Sequence, residues 1–126
     1  MKVADSSYLI EGILRNAALF ENEVLVSPDL ALYEVVNALW KHETLIRDVK
    51  DAREHIWLLT DLVSNESLRL IRPDRRLLNE AYALSVKHGL TIYDSIFIAL
   101  ALQLKIELAT FDEKQSTTLR KETKTV

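Results

Sequence analysis

The sequence predicts a three-layer α/β/α domain built around a parallel sheet of about five strands. Three observations lead there. Short apolar runs of strand length, "KVA", "EVLV", "SLRLI" and "IELATF", alternate with longer segments of helical periodicity. No two runs are joined by a hairpin signal, and the chain holds only two Gly and two Pro. Strands separated in this way by helices pair in parallel, with the crossovers covering both faces of the sheet.

The elements follow in order. Val3 and Ala4 form a strand that stops at Asp5, and "SYLIEGILRN" continues as a helix. Val24 to Val26 is the second strand; Ser27 is its exit and the N-cap of a helix that has Pro28 as first residue and runs to about Glu43. In "IRDVKDAREHIWLLTDLVSN", Val49, Ala52, Ile56, Leu59 and Val63 recur near helical spacing. Leu68 to Ile71 is a strand ended by Pro73, and the next helix is capped by Asp74 and stopped by Gly89. "TIYDSIFIAL", continued through "ALQL", is a buried helix with one carboxylate, Asp94, near its start. "IELATFD" is a further strand, "EKQSTTLRK" a short helix and "TKTV" a final edge strand. Nothing marks a linker, so residues 1–126 are expected to form a single domain.

Composition narrows the function. At 126 residues, with 48% hydrophobic and 28% charged side chains, the chain is long enough to bury a core without covalent staples. It has no Cys, which excludes disulfides and thiolate metal sites and suits a reducing cytoplasm. Asp5 interrupts what would have to be the apolar part of a secretory signal, and no apolar run has the length of a membrane span. The net charge of −3 argues against holding nucleic acid by charge alone.

In open parallel sheets the ligand crevice lies outside the carboxyl ends of the strands. Asp5 and Asp112 each follow a strand, while Glu34 and Asp94 lie early in helices whose starts return to that same edge. Four carboxylates are thereby candidates for one place. Each also has a local reading. Asp5 suits a helix cap unless Ser6 or Ser7 takes that place, Asp94 stands three residues after Thr91 in a variant capping box, and Thr110 with Glu113 makes a second box around Asp112. Glu34 is too deep in its helix to cap it, and its helical neighbours Ala31, Asn37, Ala38 and Lys41 leave an open polar strip. Converging carboxylates repel one another and raise their pKa values. A hard divalent cation, Mg²⁺ or Mn²⁺ in one or two copies, removes that repulsion because it takes oxygen ligands. Zinc is disfavoured, since there is no Cys and His42, His55 and His88 lie on helices away from the acids. A metal site of this kind serves phosphate-ester hydrolysis by acidifying a bound water, and brings a polyanion to an acidic protein.

The strand followed by "DSS", Glu34 in "SPDLALYEVVNAL", "TIYDSIFIALA" and "LATFDEK" together resemble the PIN domain, specifically the small VapC-type toxin ribonucleases. The resemblance covers essentially the whole chain. It implies that Asp5, Glu34, Asp94 and Asp112 are the acidic metal-site and catalytic residues, that Ser6 helps orient the first Asp, and that Thr110 and Gln115 are further polar residues near the fourth acid. It also implies a five-stranded sheet, homodimerisation, Mg²⁺ or Mn²⁺ dependence, and a VapB-like antitoxin that covers the site. The reaction expected is hydrolysis of an RNA phosphodiester by metal-activated water, with Glu34 as ligand or base. Lys41, Arg15 and Lys114, with Arg75 and Arg76 behind them, are candidates to grip the RNA. Trp40 and Trp57 suit base stacking or, better, packing at a protein surface.

Two rivals share parts of this pattern. A receiver-like phosphoacceptor resembles a paired-acid motif after the first strand and a Lys after a late one, whereas "VADSS" has one acid and "ELATF" is followed by Asp112. A PIN-fold adaptor that only binds partners would have lost acids that are all present here. Within the nuclease reading, an RNA-processing enzyme outside a toxin–antitoxin pair is the alternative.

Overall fold

The computed structural model describes the backbone of residues 1–124 and the side chains of residues 1–123. Among them are four strands, β1 (Lys2–Ala4), β2 (Leu25–Pro28), β3 (Leu68–Ile71) and β4 (Leu108–Ala109). Six helices accompany them: α1 (Ser6–Leu14), α2 (Leu30–Lys41), α3 (Arg53–Ser64), α4 (Arg75–His88), α5 (Ile92–Leu104) and α6 (Glu113–Lys124). All pairings are parallel and the strand order is β3-β2-β1-β4. Val3 is the hinge of the register, opposite Val26 on one side and Leu108 on the other.

This order sorts the helices. From β1 to β2 to β3 the chain steps one way across the sheet, and from β3 to β4 it returns the other way. Right-handed crossovers then put α1, α2 and α3 on one face and α4 and α5 on the opposite face. The packing agrees: α1 lies on α2 and α3, while α5 lies against β1, β2, α4 and α6. Helix α5 is buried from Ser95 through Ala101, including Phe97 and Ile98, as a helix apolar on every side must be. Strand β1, between two neighbours and covered on both faces, buries Val3 and Ala4 completely.

Several boundaries differ from the sequence reading. Ser27 does not cap α2, and Pro28 is the last residue of β2 rather than the first of the helix. The Ser27 hydroxyl instead donates to the Ala4 carbonyl at 2.6 Å in the fully buried interior, and the sheet continues past it with Asp29 N–H donating to the Ile71 carbonyl at 3.0 Å. Helix α2 ends at Lys41 and passes into a wider π-type turn, His42–Ile46. Val49 and Ala52 precede α3 rather than lying within it. Strand β4 is only two residues long, and α6 runs on through Thr123 and Lys124, where an edge strand was expected. The rest of that expected strand, Thr125 and Val126, lies outside the described residues.

The buried Ser27 bond carries a prediction. Ser27→Ala removes the hydroxyl donor from the Ala4 carbonyl in a site without water access, and should lower unfolding stability by about 1–2 kcal/mol. A urea midpoint unchanged from the wild type would show that the bond contributes nothing net.

Candidate active site

Asp5 is the first residue after β1 and the N-cap of α1, in extended conformation at φ −85° and ψ 175°. Its carboxylate is almost wholly buried, 1% exposed. Oδ1 accepts from the Tyr8 backbone N–H at 3.0 Å and from the Ser7 hydroxyl at 2.6 Å. Oδ2 accepts from the Thr110 hydroxyl. Burial pushes the Asp5 carboxyl above its ordinary value, opposed by the hydrogen bonds from Ser7, Thr110 and Tyr8 and reinforced by repulsion from Asp112. The cap reading and the site reading of Asp5 therefore coexist in one side chain.

The Thr110 and Ser7 hydroxyls tie the carboxyl ends of β1 and β4 together. Thr110 Oγ1 accepts from the Asp112 backbone N–H at 2.9 Å while donating to Asp5. Ser7 Oγ accepts from the Phe111 backbone N–H at 3.0 Å while donating to Asp5. The expected capping box between Thr110 and Glu113 gives way to this arrangement, and Asp112 itself accepts from the Lys114 N–H at 2.9 Å at the start of α6.

Glu34, on the second turn of α2, accepts from the Ser6 hydroxyl at 2.6 Å. It is half-buried, and desolvation raises its pKa; Ser6 lowers it, and repulsion from Asp94 and then Asp5 raises it further. So Ser6 serves Glu34, and the adjacent Ser7 serves Asp5. Asp94 stands in the first turn of α5, whose N-cap Thr91 accepts from the Asp94 N–H at 3.3 Å. From α6 the Gln115 side-chain amide donates to Asp94 Oδ1 at 3.4 Å. Gln115 is 4% exposed, and its Oε1 is a buried acceptor with no partner.

Repulsion thus links Asp112 to Asp5, Asp5 to Glu34 and Glu34 to Asp94. All four belong to one acidic field at the carboxyl edge of the sheet. Among the described residues none of the four forms an ion pair, so hydroxyls and N–H groups are their only direct partners. The donor set, four carboxylates and an orphan amide oxygen, has the chemistry of a hard divalent cation. As placed, no three acidic or His side chains among the described residues are close enough to grip one ion, so binding requires their rotamers to draw together.

The other predicted residues spread outward. Lys41 and Lys114 are exposed, and Lys41 does not reach Glu34. Arg15 is bound to Glu11 at 2.8 Å and Arg76 to Glu80 at 3.6 Å, while Arg75 is exposed. His42 faces Asp48 and His88 faces Glu122, both apart from the four acids. Trp40 and Trp57 stand 52% and 62% exposed. Sequence reading offered Ser7 only as an alternative helix cap and not as a partner of Asp5, because two adjacent serines at a helix start cannot be told apart before the helix sets their directions. It passed over Phe111, which stacks on Tyr8 beside Asp5.

The family model described as the PIN domain matches residues 3–120. This chain belongs to the PIN-domain family. It is 34% identical over 101 residues, 77% of this chain and 72% of the relative, to Ribonuclease VapC3 of Pyrobaculum aerophilum. Its fold is similar to the crystal structure of PAE2754 from Pyrobaculum aerophilum, with a TM-score of 0.76 and 25% identity, covering 93% of this chain and 83% of that one. The PIN fold here has the parallel sheet and the helix layers expected, with four strands described against about five. No described helix is long and apolar enough to cross a membrane.

Proposed function

We propose that this chain is a divalent-metal-dependent endoribonuclease, the toxin of a VapBC-type pair, in which residues 1–126 work as one PIN domain. The observation that carries the reading is the set of four acids, Asp5, Glu34, Asp94 and Asp112, placed at one sheet edge without a cationic partner among the described residues. The likeness to Ribonuclease VapC3 supports RNA as the substrate.

Asp5, Asp94 and Asp112 would hold one or two Mg²⁺ or Mn²⁺ ions, with Glu34 completing the set. Bound there, such an ion supplies Lewis acidity toward the phosphodiester and an acidified water. The protein's own contributions are positional. Ser7, Thr110 and the Tyr8 N–H fix the Asp5 carboxylate, and Gln115 aims Asp94. Glu34, its pKa raised by burial, is suited to take a proton from water at the attacking position, with Ser6 holding the carboxylate in place. Lys114, exposed two residues after Asp112, and Lys41, exposed at the far end of α2 from Glu34, are assigned as contacts for the RNA backbone.

Two apolar stripes support protein partners. Tyr33, Val36 and Trp40 lie exposed along α2, and Leu78, Tyr82 and Val86 along α4. A second copy and a VapB-like antitoxin are the partners this reading assigns, in the cytoplasm.

The test is cleavage of a structured RNA mixture with Mg²⁺ or Mn²⁺, then with EDTA, then with metal restored. Cleavage that stops with chelator and returns with metal is the expected result. Cleavage indifferent to EDTA would overturn the metal mechanism. A melting temperature that no divalent ion raises, together with no cleavage, would turn the reading to a PIN-fold binding module.

A further inference from the structure

We propose that Phe111 is a nucleobase platform, on which a base of the bound single strand stacks next to the reacting phosphate. The inference rests on the ribonuclease reading above and names a contact that reading leaves open. Phe111 is 58% exposed although it lies between Thr110 and Asp112, in the segment that ties β4 to β1. One face of its ring is already occupied. Tyr8 stacks on it with centroids 5.6 Å apart and planes inclined by 12°.

The pair is anchored from behind. Tyr8 Oη donates to the Leu19 carbonyl at 3.2 Å, and its backbone N–H donates to Asp5 Oδ1. The Phe111 backbone N–H donates to Ser7 Oγ, the hydroxyl that also donates to Asp5. Two routes of hydrogen bonds therefore fix the aromatic pair relative to the Asp5 carboxylate. Among the described residues this apolar ring at an acidic rim has one ring partner, Tyr8, and remains 58% exposed.

A nucleobase suits that place on chemical grounds. Every base has a flat π-face, so stacking tolerates any sequence, and it adds attraction that does not depend on charge. That matters in a chain with a net charge of −3, where charge alone does not hold the strand. Preorganisation by Tyr8 removes the ordering cost an isolated exposed Phe would meet on binding.

The test is binding of fluorescent eight-nucleotide oligoadenylate and oligouridylate, beside a matched strand in which every base is absent. Ca²⁺ serves as the divalent ion, and strand integrity is checked on gels. Phe111→Ala should weaken the base-bearing strands about tenfold and leave the abasic strand unchanged, while Phe111→Trp should bind at least as well as the wild type. Equal binding by the wild type and Phe111→Ala would overturn the proposal. So would an equal loss on both kinds of strand, which would make Phe111 merely structural. A change of oligomeric state in Phe111→Ala without loss of strand binding would replace it with a protein interface. The metal-dependent cleavage assay of the wild type reports on the nuclease reading separately. Cleavage that persists while Phe111→Ala binds normally sinks the platform alone.

Discussion

Asp5→Asn should melt above the wild type at neutral pH without metal and cleave RNA roughly 10²–10³-fold more slowly, while Asp5→Ala should lose both activity and stability. The opposite signs follow from the two things the carboxylate does. Its charge is unfavourable in the folded chain without metal, because burial and Asp112 both raise its pKa. Its geometry is favourable. Asparagine keeps an oxygen where Oδ1 accepts from Tyr8 N–H and Ser7, and places an N–H₂ where Oδ2 meets Thr110. Thr110 Oγ1, already accepting from Asp112 N–H, then accepts a second bond and re-aims its proton. Alanine removes the helix cap, at about 1 kcal/mol, and leaves the Ser7 and Thr110 hydroxyls without their acceptor, at about 1 kcal/mol or more each. The expected total is a loss of roughly 3 kcal/mol or somewhat more. The activity loss is of the size found when one preorganised electrostatic group is removed. Thermal melts in EDTA and initial cleavage rates on one RNA check both parts. If Asn destabilises as much as Ala, the charge itself holds the network and the desolvation account fails.

The same residue shows what the sequence could and could not convey. Helix α4 was legible to the residue at both ends, because Asp74 caps Leu77 N–H at 2.9 Å and Gly89 takes the left-handed φ of 66° that stops the helix. These are local events with local signals. Thr91 at the head of α5 and the apolar body of that helix were legible for the same reason. Ser27 and Pro28 misled because the pair is a standard helix opening. The hydroxyl's partner, the Ala4 carbonyl, is 23 residues away and exists only once β1 and β2 pair. The four acids could be gathered in principle by counting residues past strand ends. Their tethers could not. Thr110 reaches Asp5 across 105 positions and Ser7 receives Phe111 N–H across 104, so neither bond leaves a mark in any window of the sequence. The resemblance of the first serine to an orienting residue pointed toward Asp5, whereas the helical turn directs Ser6 to Glu34 and leaves Asp5 to Ser7.

The rise in melting temperature given by Mn²⁺ should grow with pH, while the metal-free protein loses stability. Asp5 and Glu34 both have folded pKa values raised above their ordinary values of 3.8 and 4.5. A raised carboxyl binds its proton more tightly in the folded chain than in the unfolded one. Its contribution to stability is fully present below the unfolded value and is lost as pH rises through the folded one. Metal-free protein should therefore lose stability on going from about pH 4.5 toward neutrality. The lowered acids act the other way. Glu23 is held down by the N-terminal ammonium, Asp51 to about 2 by Arg53, and Glu122 by His88 and Lys87. Their contributions are present above the unfolded carboxyl values and are lost only as pH falls beneath them. The pairs of Glu23 and Asp51 are also solvent-screened. Among the carboxylates, the window from about pH 4.5 upward thus belongs to Asp5 and Glu34. With Mn²⁺ in excess, stabilisation depends on how completely it occupies deprotonated acids, and so it grows with pH. The two curves should diverge as pH rises, with the Mn²⁺ curve uppermost. Glu34→Gln should flatten the metal-free slope and shrink the divergence. Melts over this range with EDTA and with Mn²⁺ decide it. A metal-free curve that rises toward neutrality, or a Mn²⁺ effect that is the same at every pH, would mean that these carboxylates are not the groups that meet the ion.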